Sequence, residues 1–451
     1  PRVLASAARI LTIMKRDHDA FDLFDDDAAA PAPAAAPFSS PLRGLFTSFL
    51  LQRAPAVSSD LRGADAATLA DSLDAALRDL ASVDWPGCVR AATALDAGAW
   101  ASADRAAGWP HPCVRDGCAL AQLLLALAAE SGGERAEALA RLDRAFILGG
   151  PRDLLREGVA LLLADSAAAA PPPSPPADDA SAGSGVADAS TAADPTLALM
   201  EQRPERRIAR AAAPADAEGL RPYWKESRPV VLEGALRGWP ALEKWHDLRA
   251  LRRAHGARLV PVELGVLGGG GGAGGGGGWS ERVMPLRDFI DGHLVEGARG
   301  GVAYLAQHAL FEQLPALQAD FAVPPYCALG PSGGPQHVNA WLGTAATVTP
   351  LHFDSYDNLF AQVVGKKYVR LYAATETPKL YVRRGGGGGV AAQGNVSEVD
   401  VEAPDAARHP RFAEAQFTEV VLGPGDLLFV PAGVWHYVRS LTTSWSISFW
   451  F

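Results

Sequence analysis

The sequence predicts an α+β protein with two domains, an N-terminal α-helical domain and a C-terminal domain built mainly from β-strands. Three observations indicate this fold class: a length of 451 residues, a helical spacing of apolar residues early in the chain, and short alternating segments between Gly/Pro turns late in it. The length exceeds one ordinary core, and 48% hydrophobic residues can fill more than one. We therefore expect two domains and a linker.

The predicted helical domain covers residues 1–165. In ERAEALARLDRAFILGG, apolar residues recur at intervals of three and four, and Gly149 and Gly150 end the pattern. TLADSLDAALRDLASV follows the same spacing. The pattern is typical of stacked helical hairpins, although no repeat is regular enough to name. Nothing in this domain indicates catalysis, so we expect it to act as a scaffold or to bind protein partners through its helices.

Residues 166–204 are rich in Pro, Ala, Ser and Asp and hold few large apolar side chains. Such a composition cannot form a core, so it predicts a disordered linker. Two glycine-rich inserts follow, at residues 268–278 and 385–389. The first matches G-x-G-x-x-G but lacks the strand–turn–helix context of a nucleotide-binding loop, so we reject nucleotide binding there.

The composition also narrows the class of protein and its compartment. A net charge of −10 argues against a nucleic-acid-binding protein with a basic surface. The four cysteines (Cys88, Cys113, Cys118 and Cys327) are irregularly spaced, which indicates buried thiols in a reducing compartment rather than disulfides or a zinc site. No apolar run approaches the length of a membrane span. We expect the nucleus or the cytoplasm; the chain begins without methionine, so its natural start is open.

From residue 205 to 451 tryptophan, tyrosine, valine and phenylalanine become more frequent. Short alternating segments such as RPVVLEGAL, DLLFVPAGVWHYVRSL and SWSISFWF are separated by turn residues. Many short strands of this kind predict a sandwich or barrel. Within them, TVTPLHFDSYDNL places His352 and Asp354 on the same face of an extended strand. His436, in GPGDLLFVPAGVWHYV, is the candidate for a third ligand. Two histidines and a carboxylate form the facial triad of non-haem Fe(II) oxygenases, whereas an isolated H-x-D is more often structural.

A lysine strengthens the functional interpretation. Gly365 and Lys366 read as a hairpin turn, after which Lys367, Val369 and Leu371 share one face. A lysine on the inner face of a barrel is costly unless an anion meets it. An acidic cosubstrate such as 2-oxoglutarate would supply that anion, and a slipped register that points the lysine outward is the alternative. The last strand, SWSISFW, is expected to line the same pocket with small hydroxyl groups and one indole: Ser444, Ser446, Ser448 and Trp450.

Several long segments in sequence order resemble one known family. They are RPVVLEGALRGWPALEKW, VPVELG, YLAQHALFEQLPALQADFAVPPYCALG, NAWLGTAATVTPLHFDSYDNLFAQVVGKKYVRLYA and LGPGDLLFVPAGVWHYVRSL. Residues 205–451 are similar to the JmjC-domain 2-oxoglutarate oxygenases, of the lysine demethylase/arginyl hydroxylase type. The resemblance implies a double-stranded β-helix, a cupin-type jelly roll, that uses Fe(II), 2-oxoglutarate and O2.

The resemblance also implies the role of each site residue. His352, Asp354 and His436 would bind Fe(II). The cosubstrate would be held by five residues: Tyr304, Thr349, Asn358, Lys367 and Trp450. The substrate pocket would include Glu263, Trp279 and Trp341. One departure is the glycine run before Trp279, where the family has a polar loop, so the preference for a peptide sequence stays open.

The implied substrate is a protein or peptide, with neither nucleic acid nor membrane as a direct partner. We expect hydroxylation of an arginine side-chain carbon, with demethylation of methyl-lysine by the same site as the alternative. A zinc or manganese cupin isomerase or hydrolase would have no need of Lys367 with Thr349 and Asn358. A non-catalytic interaction protein is the remaining alternative, and the complete triad argues against it.

Overall fold

The structure is a computed structural model. It describes residues 41–64, 66–82, 84–105, 112–169, 200, 203–265, 280–295, 301–383 and 394–451. The chain divides into two compact units, which are described in turn. Most of the predicted linker and both glycine-rich inserts lie outside the described residues, so the predictions made for those segments stay predictions.

The first unit is helical. Buried side chains of its second helix, such as Leu69, Leu73 and Leu80, recur at helical spacing and pack against the neighbouring helices. The fifth helix ends where the sequence predicted, at a left-handed Gly149 with a φ of 82°. The helices are α1 (Pro41–Gly63), α2 (Ala67–Ala81), α3 (Trp85–Arg105), α4 (Pro112–Ser131), α5 (Arg135–Ile147) and α6 (Arg152–Ala169).

Helix α4 is the central element of this unit. By length and composition alone it could cross a membrane, but 89% of its apolar window is buried inside the protein. Its one glutamine, Gln122, is also buried and accepts a hydrogen bond from Arg141 of α5 at 3.2 Å. Such burial is typical of the core helix of a helical bundle. The four cysteines of the chain are buried free thiols, as predicted.

The second unit is built from thirteen described strands. They are β1 (Arg210–Ala212), β2 (Val230–Glu233), β3 (Leu259–Leu264), β4 (Ser280–Pro285), β5 (Ala303–His308), β6 (His337–Gly343), β7 (Val348–His352), β8 (Asn358–Val364), β9 (Lys367–Tyr372), β10 (Thr418–Leu422), β11 (Asp426–Val430), β12 (Trp435–Ser440) and β13 (Ser444–Trp450). Nine form one sheet, in the order β1-β2-β11-β8-β13-β6-β5-β3-β4. The other four form a second sheet, in the order β10-β9-β12-β7. This arrangement confirms the predicted double-stranded β-helix.

Short helices connect and flank the two sheets. The α-helices are α7 (Ala217–Lys225), α8 (Ala241–Lys244), α9 (Leu248–His255), α10 (Leu286–Phe289) and α11 (Leu310–Gln313), and a π-helix follows α10 at Ile290–Leu294. The 3-10 helices are Pro204–Arg206, Pro315–Asp320, Pro325–Leu329, Ala374–Lys379 and Pro410–Glu414. Helix α8 contacts β8, α10 contacts β4 and α11 contacts β6.

Two strands in the interior of the nine-stranded sheet are buried along their whole length. Every residue of β8 and of β13 is buried, so both faces of the sheet are covered at these strands. The predicted turn between β8 and β9 is present, and Gly365 takes a φ of 73° there. A side chain at that position would also collide with the carbonyl oxygen of Thr443. The predicted hairpin is wrong, because β8 pairs with β11 and β13 in the nine-stranded sheet whereas β9 pairs with β10 and β12 in the other, so the turn carries the chain from one sheet to the other.

The pairing of β7 with β12 contains one irregularity. His352 lies opposite His436, and Thr349 lies opposite Val438, so three residues on β7 span the length of two on β12. This is a β-bulge. It allows Thr349 and His352, an odd number of residues apart, to face the same side of the sheet.

Candidate metal centre

The three predicted metal ligands lie together where β7 and β12 meet. His352 ends β7, and His436 is its partner on β12, with the ring centroids 4.0 Å apart. Asp354 follows β7 by two residues, and its two carboxylate oxygens lie 3.6 Å from the Nε2 atoms of His352 and His436. All the donor atoms lie within 4.8 Å of one another. One metal ion can therefore be held by all three groups.

Backbone carbonyls fix which nitrogen of each imidazole faces the metal position. The Nδ1 atom of His352 lies 2.8 Å from the carbonyl oxygen of Pro350, and that of His436 lies 3.1 Å from the carbonyl oxygen of Val434. A carbonyl only accepts hydrogen bonds, so each Nδ1 carries the proton. Each Nε2 then directs its lone pair towards Asp354, which is the tautomer that a metal ligand requires.

The electrostatics of the centre suit a cation. Burial holds the pKa of His352 well below its usual value, and the neighbouring His436 adds to this effect, so the imidazole is a neutral ligand at physiological pH. Burial also raises the pKa of Asp354. A metal dication would compensate for that desolvation. Nitrogen and oxygen donors arranged on one side match the facial triad, so the residues fit Fe(II).

The triad opens into a cavity between the two sheets. The two histidines line this cavity, and so do six other predicted site residues. Apolar side chains form the rest of its wall. The lining residues are Tyr304, Trp341, Thr349, His352, Asp354, Asn358, Phe360, Val369, Leu428, Val430, His436, Val438 and Trp450. The structure thus brings the predicted metal ligands and four of the five predicted cosubstrate ligands to one space.

Lys367, the fifth predicted cosubstrate ligand, lies behind the lining. Its side chain is buried, and Nζ donates a hydrogen bond to the Tyr304 hydroxyl at 3.0 Å. The Tyr304 hydroxyl also bonds with the Thr349 side chain. Burial lowers the pKa of Lys367 to about 7. Among the described residues no carboxylate pairs with this amine, so an anionic ligand beside it would stabilise the charged form.

Two further polar atoms in the cavity lack partners. Asn358 Oδ1 and Trp450 Nε1 are buried without a hydrogen bond to any described residue. Buried polar atoms are nearly always satisfied, and an exception requires an explanation. A small dianion that reaches from the triad towards Lys367 would accept a hydrogen bond from Trp450 Nε1, so the residues fit 2-oxoglutarate. Asn358 Oδ1 is itself an acceptor and needs a donor such as water. The Trp450 ring is held by a parallel stack with Tyr356 at 5.6 Å and an edge contact with His337 at 6.1 Å.

The predicted substrate residues are placed less uniformly. Trp341 lines the cavity, and its Nε1 donates to the Ser448 hydroxyl at 3.0 Å. Glu263 lies on β3, where it pairs in register with Tyr304 of β5, and it is partly buried. Trp279 lies outside the described residues. The structure therefore places Trp341 on the cavity wall and Glu263 next to Tyr304, a residue that lines the cavity.

Comparisons with known proteins agree with this geometry. The family described as "Cupin-like domain" matches residues 215–451, more than half of the chain. Lysine-specific demethylase JMJ30 of Arabidopsis thaliana is 33% identical over 360 residues, which cover 75% of this chain and 80% of that protein. The chain belongs to the cupin-like JmjC family of 2-oxoglutarate oxygenases.

Two other relatives match about half of this chain. Lysine-specific demethylase 8 of Xenopus tropicalis is 43% identical over 229 residues, 51% of this chain and 49% of that protein. Jumonji C domain-containing protein 5 of Drosophila melanogaster is 36% identical over 243 residues, 53% of this chain and 58% of that protein. The chain spans about half the length of these relatives. The predicted family resemblance is confirmed.

Apart from Val369, which was placed on the inner face with Lys367, the apolar wall of the JmjC cavity was not named from the sequence. Alternation along strands already recognised could have found part of it, because Phe360 follows Asn358 by two residues and Val438 follows His436 by two. Leu428 and Val430 lie on β11, opposite Phe360 and Asn358 on β8. That pairing joins segments distant in the chain, and the sequence carries no signal for it.

Gly343 gives the JmjC cavity a testable packing requirement. A Cβ atom at this position would lie 2.6 Å from Tyr304 Cδ2 and 2.8 Å from the Ala303 carbonyl oxygen. We expect Gly343→Ala to displace the Tyr304 ring, to lower stability by about 1–3 kcal/mol as overpacking does, and to weaken cosubstrate binding. Thermal unfolding with and without 2-oxoglutarate measures both effects. Gly423→Ala is the control, since no atom lies within 4 Å of its Cβ position; equal shifts for both variants would contradict the prediction.

Proposed function

We propose that this protein is an Fe(II)- and 2-oxoglutarate-dependent protein oxygenase that hydroxylates a side-chain carbon of arginine. The observation that carries the oxygenase assignment is the meeting, in one cavity, of a complete facial triad and polar atoms without partners. Bound iron, with the cosubstrate and O2, would supply oxidation of an unactivated C–H bond, which no side chain performs.

The residues of the chain have separable roles in this proposal. His352, Asp354 and His436 hold the metal, each through an atom already directed at it. Lys367 and Tyr304 anchor the distal carboxylate of the cosubstrate, and burial makes their charge and hydrogen bonds stronger than in water. The apolar wall formed by Val369, Leu428, Val430 and Val438 keeps water from the reacting centre.

The carboxylate of Glu263 supports a cationic substrate. Burial, together with nearby Glu281, raises the pKa of Glu263 to about 8. A guanidinium beside it would restore the ionised form through a bidentate, charge-assisted pair. The Trp341 indole on the cavity wall can add a cation–π contact. A guanidinium offers the planar pair of donors that a carboxylate matches, and a methylated ammonium does not.

The names of the relatives favour a second candidate. Those of Arabidopsis thaliana and Xenopus tropicalis are lysine-specific demethylases. Hydroxylation of an N-methyl carbon gives a hemiaminal that releases formaldehyde, so demethylation requires only that a different carbon be presented to the same centre. Methyl-lysine demethylation in a protein substrate is therefore the alternative that the experiment must separate.

Mass spectrometry separates the two reactions. We would incubate the protein with Fe(II), ascorbate, 2-oxoglutarate and either arginine-containing or methyl-lysine peptides, with His352→Ala as the inactive control. A gain of one oxygen on arginine supports the hydroxylase, and loss of a methyl group supports the demethylase. If neither peptide changes and no succinate forms, the oxygenase proposal is wrong and a non-catalytic role returns.

Glu263→Gln tests the substrate assignment directly. The substitution keeps the shape of the side chain and removes the charge. We expect kcat/KM for the arginine peptide to fall about 10- to 100-fold, the value of a charge-assisted pair, while succinate formation without peptide is unchanged. Glu281→Gln, on the neighbouring strand β4, serves as the comparison and is expected to have a much smaller effect. Equal losses in both variants would contradict the role of Glu263.

A further inference from the structure

A second carboxylate, Asp357, lies in the loop that follows the metal-binding strand, and it does not line the cavity. Its Oδ2 accepts a hydrogen bond from Trp224 Nε1 of α7 at 2.8 Å. Its Oδ1 accepts one from the Ala432 backbone N–H at 2.9 Å. Its backbone oxygen accepts one from the Phe451 N–H at 3.0 Å. The residue therefore joins a helix, a turn and the end of the last strand.

The turn that Asp357 holds carries a metal ligand. Residues 431–434 connect β11 to β12, and the Val434 N–H donates to the Pro431 carbonyl oxygen at 3.1 Å. Gly433 has a φ of 76°, which matches the third position of a type II turn. Its N–H donates to the Asp354 carbonyl oxygen at 2.9 Å. Two bonds from neighbouring amides thus tie this turn to the loop that bears Asp354.

The strand ladder alone does not fix the whole triad. Pairing of β7 with β12 sets His352 opposite His436 but ends there, since β7 stops at His352. Asp354 lies beyond the ladder, so its distance from His436 depends on how the loop meets the turn. Pairing of Asn358 with Val430 brings the loop beside the turn, and the hydrogen bonds from Ala432 to Asp357 and from Gly433 to Asp354 complete this contact. The turn also supplies the Val434 carbonyl that orients His436.

We propose that Asp357 is a positioning residue of the metal centre. Its contact with Ala432 holds the turn of His436 against the loop of Asp354 and so sets the affinity for the metal. The inference rests on the proposed use of the triad as a metal site, and it does not depend on the substrate. Only a carboxylate satisfies both an indole and a backbone donor with separate oxygens, because an asparagine offers one acceptor oxygen.

Three substitutions remove the side-chain hydrogen bonds of Asp357 either together or one at a time. Asp357→Ala removes both side-chain bonds. Trp224→Phe removes only the indole donor and keeps an aromatic ring. Ala432→Pro removes only the turn donor, at the second position of a type II turn, where proline is favoured. The readout is the dissociation constant of Co(II), a spectroscopic substitute for Fe(II), from its visible absorption in the full-length chain, with folding monitored by circular dichroism.

We expect Asp357→Ala and Ala432→Pro each to weaken Co(II) binding about 10- to 100-fold, as the loss of outer partners of metal ligands does. The double variant should lose little more than either single one, because both remove the same contact. Trp224→Phe should stay within about threefold of the unmodified protein, even where it lowers the melting temperature.

Two results would overturn the inference. One is unchanged Co(II) affinity and spectrum in folded Asp357→Ala or Ala432→Pro, which would leave Asp357 with a purely structural role. The other is an equal loss of affinity in Trp224→Phe, which would assign the effect to the helix. His352→Ala defines the baseline: Co(II) bound by the unmodified protein but not by this variant establishes the metal site, whatever the outcome of the peptide assays.

Discussion

Asp354→Ala is expected to abolish succinate formation, with a loss of about 10³-fold or more, because it removes the only anionic ligand of the proposed metal site. The two histidines would remain paired across β7 and β12, so the fold should persist. The burial that raises the pKa of Asp354 implies that the apo protein gains stability from the substitution, since a desolvated carboxylate is removed. Succinate release and thermal unfolding of the metal-free protein measure the two effects.

Asp405→Ala is a suitable control for Asp354→Ala. That carboxylate lies on the exposed surface and accepts hydrogen bonds from the backbone N–H groups of Ala407 and Arg408 in its own turn. It should leave turnover unchanged. Residual succinate formation above a tenth of the normal rate in Asp354→Ala would contradict its assignment as a ligand.

Lys367→Met is expected to raise the KM for 2-oxoglutarate by at least about 30-fold, the cost of removing one partner from a buried charge pair. Methionine retains the length of the side chain but cannot bond to the Tyr304 hydroxyl or to a carboxylate. Lys366→Met is the matched control, because that neighbouring lysine is exposed on the turn between β8 and β9. A similar KM in the two variants would refute the anchoring role of Lys367.

The same lysine predicts how the stability of the apo protein depends on pH. The pKa of Lys367 is about 7 in the folded protein, below the ordinary 10.5, so between these values the unfolded chain binds more protons. The free energy of unfolding therefore rises with pH over the range from about 7 to 10.5. When the pH is lowered, this stabilisation is lost across the same range and is gone once the pH has fallen through the folded pKa of about 7. Lys367→Met should remove this slope, and Lys366→Met should retain it. Denaturant titrations across this range test the prediction.

Local chemistry made much of the JmjC domain predictable from its sequence. The spacing of His352 and Asp354, the turn at Gly365 and the buried lysine that follows each depend on neighbours in the chain, and each is present in the structure. The predicted hairpin at this turn was wrong, because pairing with distant strands places β8 and β9 in different sheets. The helical segments of the first unit were predictable for the same reason. The ligand roles themselves remain predictions until metal and cosubstrate are bound.

Contacts between distant segments were not predictable in the same way. The bond from Trp224 to Asp357 joins α7 to the metal loop, and nothing near either residue signals it. The Tyr304 hydroxyl meets Lys367 only because β5 and β9 lie in facing sheets. Tertiary pairing decides such contacts, whereas a sequence reports only which side chains are able to make them.

The bulge in β7 has a consequence for the location of a proton. Pro350 lies within the bulge, between Thr349 and His352, and its carbonyl oxygen accepts a hydrogen bond from Nδ1 of His352. The irregularity thus gives the imidazole its own acceptor and leaves Nε2 unprotonated for the metal. An H-x-D motif grafted onto a regular strand would reproduce the ligands without this acceptor, and its histidine would divide between two tautomers. Designed metal sites of this type should therefore copy the bulge together with the motif.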